Sequence, residues 1–331
     1  GTDGKVYGSG GGAKYRCRPD GIDQDQTCTE RHDPTIKRAG DNDVVAVDEQ
    51  GLLELVAVAD GRKSEVQTDY LGRSPAVFSV GCRRDGKIHG GTVFPGRAFS
   101  YDPKQGVFEE LERITPGSIQ IYDTVDHPKG LFLASYMGCK LDLFDPDSPR
   151  KSRHNPRRFK GSIPGQERPV QWERGPDGRF YFGTVPAKGR LGGALVRVDP
   201  QDLAVQVWED IMPQQSIHYL TSVPKTGKLF GCASVGGGSS AIPSLKEAEV
   251  FLWDTKTETV VWRGKPVPGT RSYLRAVSVD DGLIVGLAGQ SWYIFDPVQR
   301  QVVHSGSLPV GRLHFPYLSD RPIGAKGPVV G

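Results

Sequence analysis

DGKIHGGTVFPGRAFSYDP, residues 85–103, decides the fold. Asp85-Gly86 reads as a hairpin turn, because glycine tolerates the positive φ that such a turn needs. Lys87–Thr92 is one strand and Arg97–Tyr101 the next, across a glycine-rich loop. Asp102-Pro103 stops the ladder, since proline brings no N–H. The same phrase recurs along the chain. Lys129-Gly130 leads through LFLASYMG to LDLFDP, and Asp177-Gly178 through RFYFGTV to ALVRVDP. Thr226-Gly227 leads through KLFGCAS to EVFLWDT, and Asp281-Gly282 through LIVGLAG to WYIFDP. The closing aspartates, Asp102, Asp145, Asp199, Asp254 and Asp296, stand 42 to 55 residues apart. A period in that range, with several strands per unit and no helical stretch, marks a β-propeller.

At roughly 45 residues per four-stranded blade, the 331 residues fit seven blades in one all-β domain, residues 1–331. GTDGKVYGSG already reads as a turn and a second strand, so the C-terminal HFPYLSD (His314–Asp320) is expected to supply the missing first strand and close the ring. After the hairpin GKVYGSGGGAKYRC comes a polar loop, RPDGIDQDQTCTERHDPTIKRAGD, and then an irregular second unit, Asp43–Gln67. A basic, proline-rich insertion, DPDSPRKSRHNPRRFKGSIPGQERP, follows the fourth unit. In the long sixth-unit loop, SLKEAE is expected to form a helical turn started by Ser244. A net charge of +3 is too weak to imply nucleic acid. No run of 18 apolar residues marks a membrane span. Of the five cysteines, Cys17 and Cys28 flank a polar loop and can pair. Cys82, Cys139 and Cys232 sit on or beside strands and read as buried thiols.

In a propeller, the loops between second and third strands share one end with the passages from blade to blade. The glycine-rich loops are second-to-third connections. The passages read LGRSP, ERITPG, GQERP, PGTRS and VGRLH, each with an arginine: Arg73, Arg113, Arg168, Arg271 and Arg312. Five guanidinium groups around one mouth form an anion site, since guanidinium pairs bidentately with carboxylate or sulfate. Of the seven histidines, three point toward this end: His89 on a second strand, and His218 and His314 entering innermost strands. His127 lies in a turn at the opposite end and reads as structural. Tyr136 ends a second strand where most units carry an aliphatic or small residue, so its hydroxyl can enter the mouth. No His-x-His or His-x₃-His spacing appears, so no metal is expected to take part in the chemistry. No cofactor is expected, and a structural divalent cation stays an open alternative.

The runs GQERPVQWERGPDGRFYFGTVPAKGRLGGALVRVDP and QQSIHYLTSVPKTGKLFGCASVGGGSSAIPSLKEAEVFLWD resemble carbohydrate-active propellers. Among those with chemistry, the polysaccharide lyases of the ulvan and rhamnose–glucuronate type are most similar in character. The resemblance covers most of the chain from about Val80 onward. It implies an extracellular monomer that cleaves an acidic oligo- or polysaccharide by β-elimination, using a His, a Tyr and an Arg around a uronate. His89, Tyr136 and Arg168 match that arrangement, with Arg153 as a rival for the arginine. Where the family carries a second histidine some twenty residues before the first, this chain has Asp69-Tyr70. The arginine would neutralise the uronate carboxylate, while His89 or Tyr136 takes either the base or the acid role. Arg73, Arg113, Arg271 and Arg312 would contact substrate charge, and His218 and His314 are alternative bases. A binding propeller without chemistry would instead present aromatic platforms, for which Trp172, Tyr219, Tyr273 and Tyr317 are the candidates. A protein-interaction scaffold would want a large apolar patch on the same end.

Overall fold

The computed structural model describes residues 6–10, 13–18, 21–24, 38–39, 41–47, 52–67, 76–93, 96–112, 114–115, 117–151, 154–279 and 282–309. The chain divides into two compact units, Gly1–Ser74 and Pro75–Gly331. In the first unit, β1 (Val6–Gly10), β2 (Ala13–Arg18) and β3 (Gly21–Gln24) form an antiparallel meander. The hairpin is where the sequence puts it, but the polar stretch after it also supplies a third strand. A second meander holds β4 (Arg38–Ala39), β5 (Asn42–Val47), β6 (Leu52–Ala57) and β7 (Lys63–Gln67).

The second unit is five successive meanders. The first holds β8 (Ala76–Cys82), β9 (Ile88–Val93), β10 (Ala98–Asp102) and β11 (Val107–Glu112). The second holds β12 (Gln120–His127), β13 (Gly130–Tyr136), β14 (Lys140–Phe144) and β15 (Arg157–Lys160). In the third, two short pieces, β16 (Gln166–Pro169) and β17 (Glu173–Arg174), share the first-strand place beside β18 (Phe180–Pro186), followed by β19 (Ala194–Val198) and β20 (Val205–Glu209). The fourth holds β21 (Ser216–Val223), β22 (Lys228–Ser234), β23 (Val250–Asp254) and β24 (Thr259–Gly264). The fifth holds β25 (Tyr273–Ser278), β26 (Ile284–Ala288), β27 (Ser291–Asp296) and β28 (Gln301–Ser307). No helix occurs among the described residues. SLKEAE is therefore not a helical turn, and Ser244 donates to the Gln214 side chain instead of capping one. The basic insertion is shorter than its sequence implies, because Arg157–Lys160 is the outer strand of the second sheet. Pairing of the chain ends lies outside the described residues.

The closing aspartates have a local cause. Each carboxylate accepts backbone N–H groups of the turn that follows. Asp102 takes Lys104 and Gln105, Asp254 takes Lys256 and Thr257, and Asp296 takes Val298 and Gln299, all at 2.8–3.2 Å. Such a side chain imitates a backbone turn and fixes where the third strand ends.

Second strands are apolar on both faces because each sheet packs on two neighbours. Leu131 and Leu133 of β13 join Ile121 and Ala98 on one side, while Phe132 and Ala134 join Phe180 and Phe182 on the other. Tyr181 of β18 meets Leu220, Leu229 and Trp253, and Phe230 of β22 meets Tyr273 and Phe295. Gly231 sits between these layers, where a Cβ would come within 2.1 Å of the Phe251 ring.

The first strands are latched in series. Ser79 Oγ donates to the Ile121 carbonyl (3.1 Å), and Asp123 accepts the Trp172 N–H (2.8 Å). Glu173 accepts the Ser222 N–H (2.6 Å), and Thr221 Oγ1 accepts the Ser278 N–H (3.3 Å). Arg275 of the fifth sheet reaches past the fourth to Gln171 of the third, Nη2 to Oε1 at 2.8 Å. The first strands of these sheets thus converge on a common axis.

Candidate functional site

Every first strand of the second unit carries one extra residue near its start. Pairing skips Phe78, Tyr122, Glu167, His218 and Leu274. A bulge re-aims side chains and bends the strand locally. It gives each first strand a side-chain pair at an equivalent place: Phe78–Ser79, Tyr122–Asp123, Glu167–Arg168, His218–Tyr219 and Leu274–Arg275.

Tyr136 is the last residue of β13, and it pairs with Gln120 at the start of β12. Three loops border this end. Gly189 N–H donates to the Ser239 carbonyl (2.9 Å) and Gly238 N–H to the Arg190 carbonyl (3.0 Å), so the long fourth-sheet loop lies on the third-sheet loop. Arg168 is held between them and the second sheet. Its Nη2 donates to Ser239 Oγ at 3.1 Å, and its guanidinium carbon lies 5.0 Å above the Tyr136 ring centre. Tyr122 meets Tyr136 edge-on with centroids 6.3 Å apart, and Phe78 meets Tyr122 at 4.9 Å. Burial pushes the Tyr122 phenol up to about 12, so it is a neutral donor at physiological pH. Arg168 and Tyr136 are both half-buried. Together they offer a fixed cation on an aromatic face at the loop end.

Deeper along the axis, the Arg275 guanidinium lies 4.4 Å over the Tyr219 ring. Burial pushes Asp123 up to about 7, against the pull of two backbone N–H groups and the Arg275 charge. It pushes His218 down to about 4, so that imidazole is neutral at pH 7.

The structure brings together part of the expected set. Tyr136 and Arg168 meet. Arg271 is exposed at the same end, where its carbonyl accepts the Val235 N–H at 3.0 Å. His218, at the bulge of β21, is a neutral ring at pH 7. His89 does not join. It is 2% exposed, and neither ring nitrogen has a hydrogen-bond partner. Val93, at the other end of β9, pairs with Gln120 and so lies level with Tyr136. His89 is four residues back, about 13 Å along the strand. The reason is architectural: β9 is sandwiched between sheets, and its four inner residues, His89 among them, are buried while only its ends are partly exposed. The structure thus places His89 apart from Tyr136 and Arg168, not beside them as the sequence led us to expect. Arg73, Arg113, Arg153, Arg312, His314 and Tyr317 lie outside the described residues. Of the aromatic platforms, Tyr273 is fully buried with its hydroxyl on the Val267 backbone, Trp172 is buried, and Tyr219 is half-buried under Arg275. Cys139 and Cys232 are buried as expected, but Cys82 is exposed. Among the described residues no group of three or more His, Cys, Asp or Glu is placed to hold a metal ion. Tyr122, which the sequence reading missed, carried a weak signal as an aromatic at the start of a first strand. The bulge that aims it has no sequence signature.

Burial, then the Arg83 charge, lowers the His89 pKa. The folded state keeps the ring neutral, while the unfolded chain takes a proton as pH falls below about 6.5. His89→Leu is therefore expected to stabilise the protein by about 1 kcal/mol, and by more at pH 5 than at pH 8. Thermal melts at the two pH values check this, and an equal or negative change at pH 5 would refute it.

No protein-family profile matches the chain, and no curated protein does. Solved structures do. Virginiamycin B lyase from Staphylococcus aureus is similar at TM-score 0.54 and 11% identity, over 83% of this chain and 87% of that one. A catalytically inactive variant of that enzyme with quinupristin gives TM-score 0.57 and 11% identity, over 86% and 89%. The Cps50 (Swd1) β-propeller domain from Myceliophthora thermophila gives 0.50 and 15%, over 71% and 73%. At these identities the likeness concerns the fold, which is a β-propeller.

Proposed function

We propose that the protein is a propeller lyase that cleaves an acidic glycan by β-elimination at the loop end of its sheets. The observation that carries this reading is the Arg168 guanidinium fixed 5.0 Å over the Tyr136 ring. Arg168 would take the uronate carboxylate and offset the charge that spreads into it as the C5 proton leaves. With His89 enclosed about 13 Å along its strand, Tyr136 would serve both proton transfers. The Tyr136 phenolate oxygen would accept the proton from C5; the C5–H electrons form the C4=C5 bond, the C4–O bond breaks with its electrons going to oxygen, and the same proton passes to the departing oxygen, restoring the phenolate. That economy requires the C5 hydrogen and the C4 oxygen on one face of the ring, as in glucuronate. Tyr122, neutral and edge-on to Tyr136, would support the phenol ring. Arg271 would add charge to the rim. Arg73, Arg113, Arg312, His218 and His314 remain proposed contacts in the same reading, as does an extracellular setting.

The test is direct. Glucuronate-, iduronate- and galacturonate-containing polysaccharides are incubated with the protein, and the ultraviolet absorbance of the unsaturated uronate is followed. Growth of that absorbance on a glucuronate polymer is expected. Binding without product on every polymer would favour a non-catalytic glycan-binding propeller, and neither binding nor product would end the reading.

A further inference from the structure

An open cavity of about 480 Å³ lies away from the site just described. It sits at the turn end, between the second and third sheets. β12 runs from Gln120, level with Tyr136, to His127 at this cavity, so the two places are about 20 Å apart along the strand. Its walls include Asp126, His127, Arg174, Asp177, Arg179 and Asp199, with Pro128, Phe180 and Pro200 as the apolar part.

The carboxylates in the wall are paired with arginines, although Asp126 Oδ1 makes no hydrogen bond and has only Arg83 Nε at 3.9 Å. Asp126 Oδ2 accepts Arg84 Nε at 2.9 Å. Asp177 takes Arg179 Nη1 (3.1 Å) and the Tyr181 hydroxyl (2.8 Å). Asp199 takes Arg179 Nε (3.0 Å) and the Gln201 N–H (2.9 Å). Two donors are left over. Arg174 is exposed, and its guanidinium has no hydrogen bond or ion pair among the described residues. His127 Nδ1 accepts the Lys129 N–H at 3.2 Å, which puts the ring proton on Nε2. The imidazole cannot swing away, because it is stacked on Phe132 at 5.0 Å and edge-on to Phe180 at 6.3 Å. Burial first, and then the charges of Lys129 and Arg84, lower the His127 pKa against the opposing charge of Asp126, and this lowering favours the neutral ring.

We propose that this cavity binds a small organic anion: a carboxylate or phosphate carried on an apolar ring. The head group meets Arg174 and the His127 Nε2–H, and the ring lies among Pro128, Phe180 and Pro200. The size suits one ring system with its substituents, not a polymer. The site is independent of the proposed lyase centre.

Benzoate, phenyl phosphate, inorganic phosphate and benzylamine are titrated calorimetrically into the protein and into Arg174→Ala, Arg174→Glu and Arg168→Ala. Benzoate or phenyl phosphate is expected to saturate at millimolar concentration or below, more tightly than inorganic phosphate. Which of the two binds better identifies the head group. Loss of the charged donor is expected to weaken binding by about tenfold or more, and Arg174→Glu to abolish it. Arg168→Ala is expected to leave it unchanged. Arg174 is exposed, and an unchanged circular dichroism spectrum confirms that its variants fold. Equal binding by Arg174→Ala, benzylamine binding as tightly as benzoate, or no saturation by either aromatic anion would overturn the proposal.

Discussion

Replacing Tyr136 by phenylalanine is expected to lower turnover of a glucuronate-containing glycan by about a thousandfold or more, while binding of that glycan changes by less than about twofold. A single positioned acid–base group contributes on the order of 10²–10⁴, and here one phenol would serve both transfers. Phenylalanine keeps the ring that Arg168 covers at 5.0 Å, so the guanidinium holds its place and the carboxylate still has its partner. The loss therefore falls on kcat. Arg168→Ala makes the contrast: it removes the partner of the carboxylate in both ground and transition states, so binding and turnover fall together. Arg168→Lys keeps the charge but gives up the planar fork and its stacking on the ring, and is expected to fall between. Tyr122→Phe is expected to cost less than tenfold, because its buried hydroxyl supports Tyr136 and moves no proton. Steady-state kinetics on one polymer, with affinity measured separately, separates these cases. Full activity in Tyr136→Phe would remove the tyrosine from the mechanism, whatever Arg168→Ala does.

The turn aspartates and the proline stops were legible in the sequence because each answers a local demand. Asp254 must cap the turn beside it. Two- and three-residue chemistry leaves its mark in two or three letters. The site was less legible for two physical reasons. First, an unpaired residue such as Tyr122 or His218 interrupts the alternation of a strand, and nothing in a run like SIQIYDTV reveals which residue is unpaired. Every side-chain direction beyond it is misread by one step. Second, exposure in a stack of sheets depends on position along the strand. His89 and Tyr136 both lie on second strands, yet one is near the turn end and enclosed while the other is the last residue before a loop. The Arg168–Tyr136 contact was accessible to sequence reasoning because both residues sit at strand ends. The latches between first strands were not, since Asp123 and Trp172 are joined only by the packing of successive sheets.

Asp123 makes that packing sensitive to pH, and its sign distinguishes it from the histidines. Its carboxyl holds the Trp172 and Thr124 N–H groups, each at 2.8 Å. Burial outweighs those bonds and the Arg275 charge, raising its pKa from 3.8 to about 7. The folded state thus binds a proton that the unfolded chain has already released. Stability from this group is fully present below about pH 4 and is lost as pH rises through 7. The shift corresponds to about 4 kcal/mol, or roughly 6 °C in Tm for a chain of this size. His218, whose pKa is pushed down to about 4, acts in the opposite direction. It favours folding above pH 6.5, and that advantage declines as pH falls toward 4. The two slopes nearly cancel between pH 4 and 6.5. Across pH 6.5–8.5 the unfolded chain still sheds protons from His89, His127 and His218, and the buried Cys139 and Cys232 thiols begin to act, so the part of the slope that belongs to Asp123 is the difference between the protein and a variant without the carboxyl. Asp123→Asn keeps a carbonyl oxygen for the Trp172 N–H and cannot ionise. Over that interval its melting temperature is expected to fall less than that of the unaltered protein, by about 1 °C. Parallel curves across pH 6.5–8.5 would show that the carboxyl titrates normally and that the axis is wetter than its burial implies.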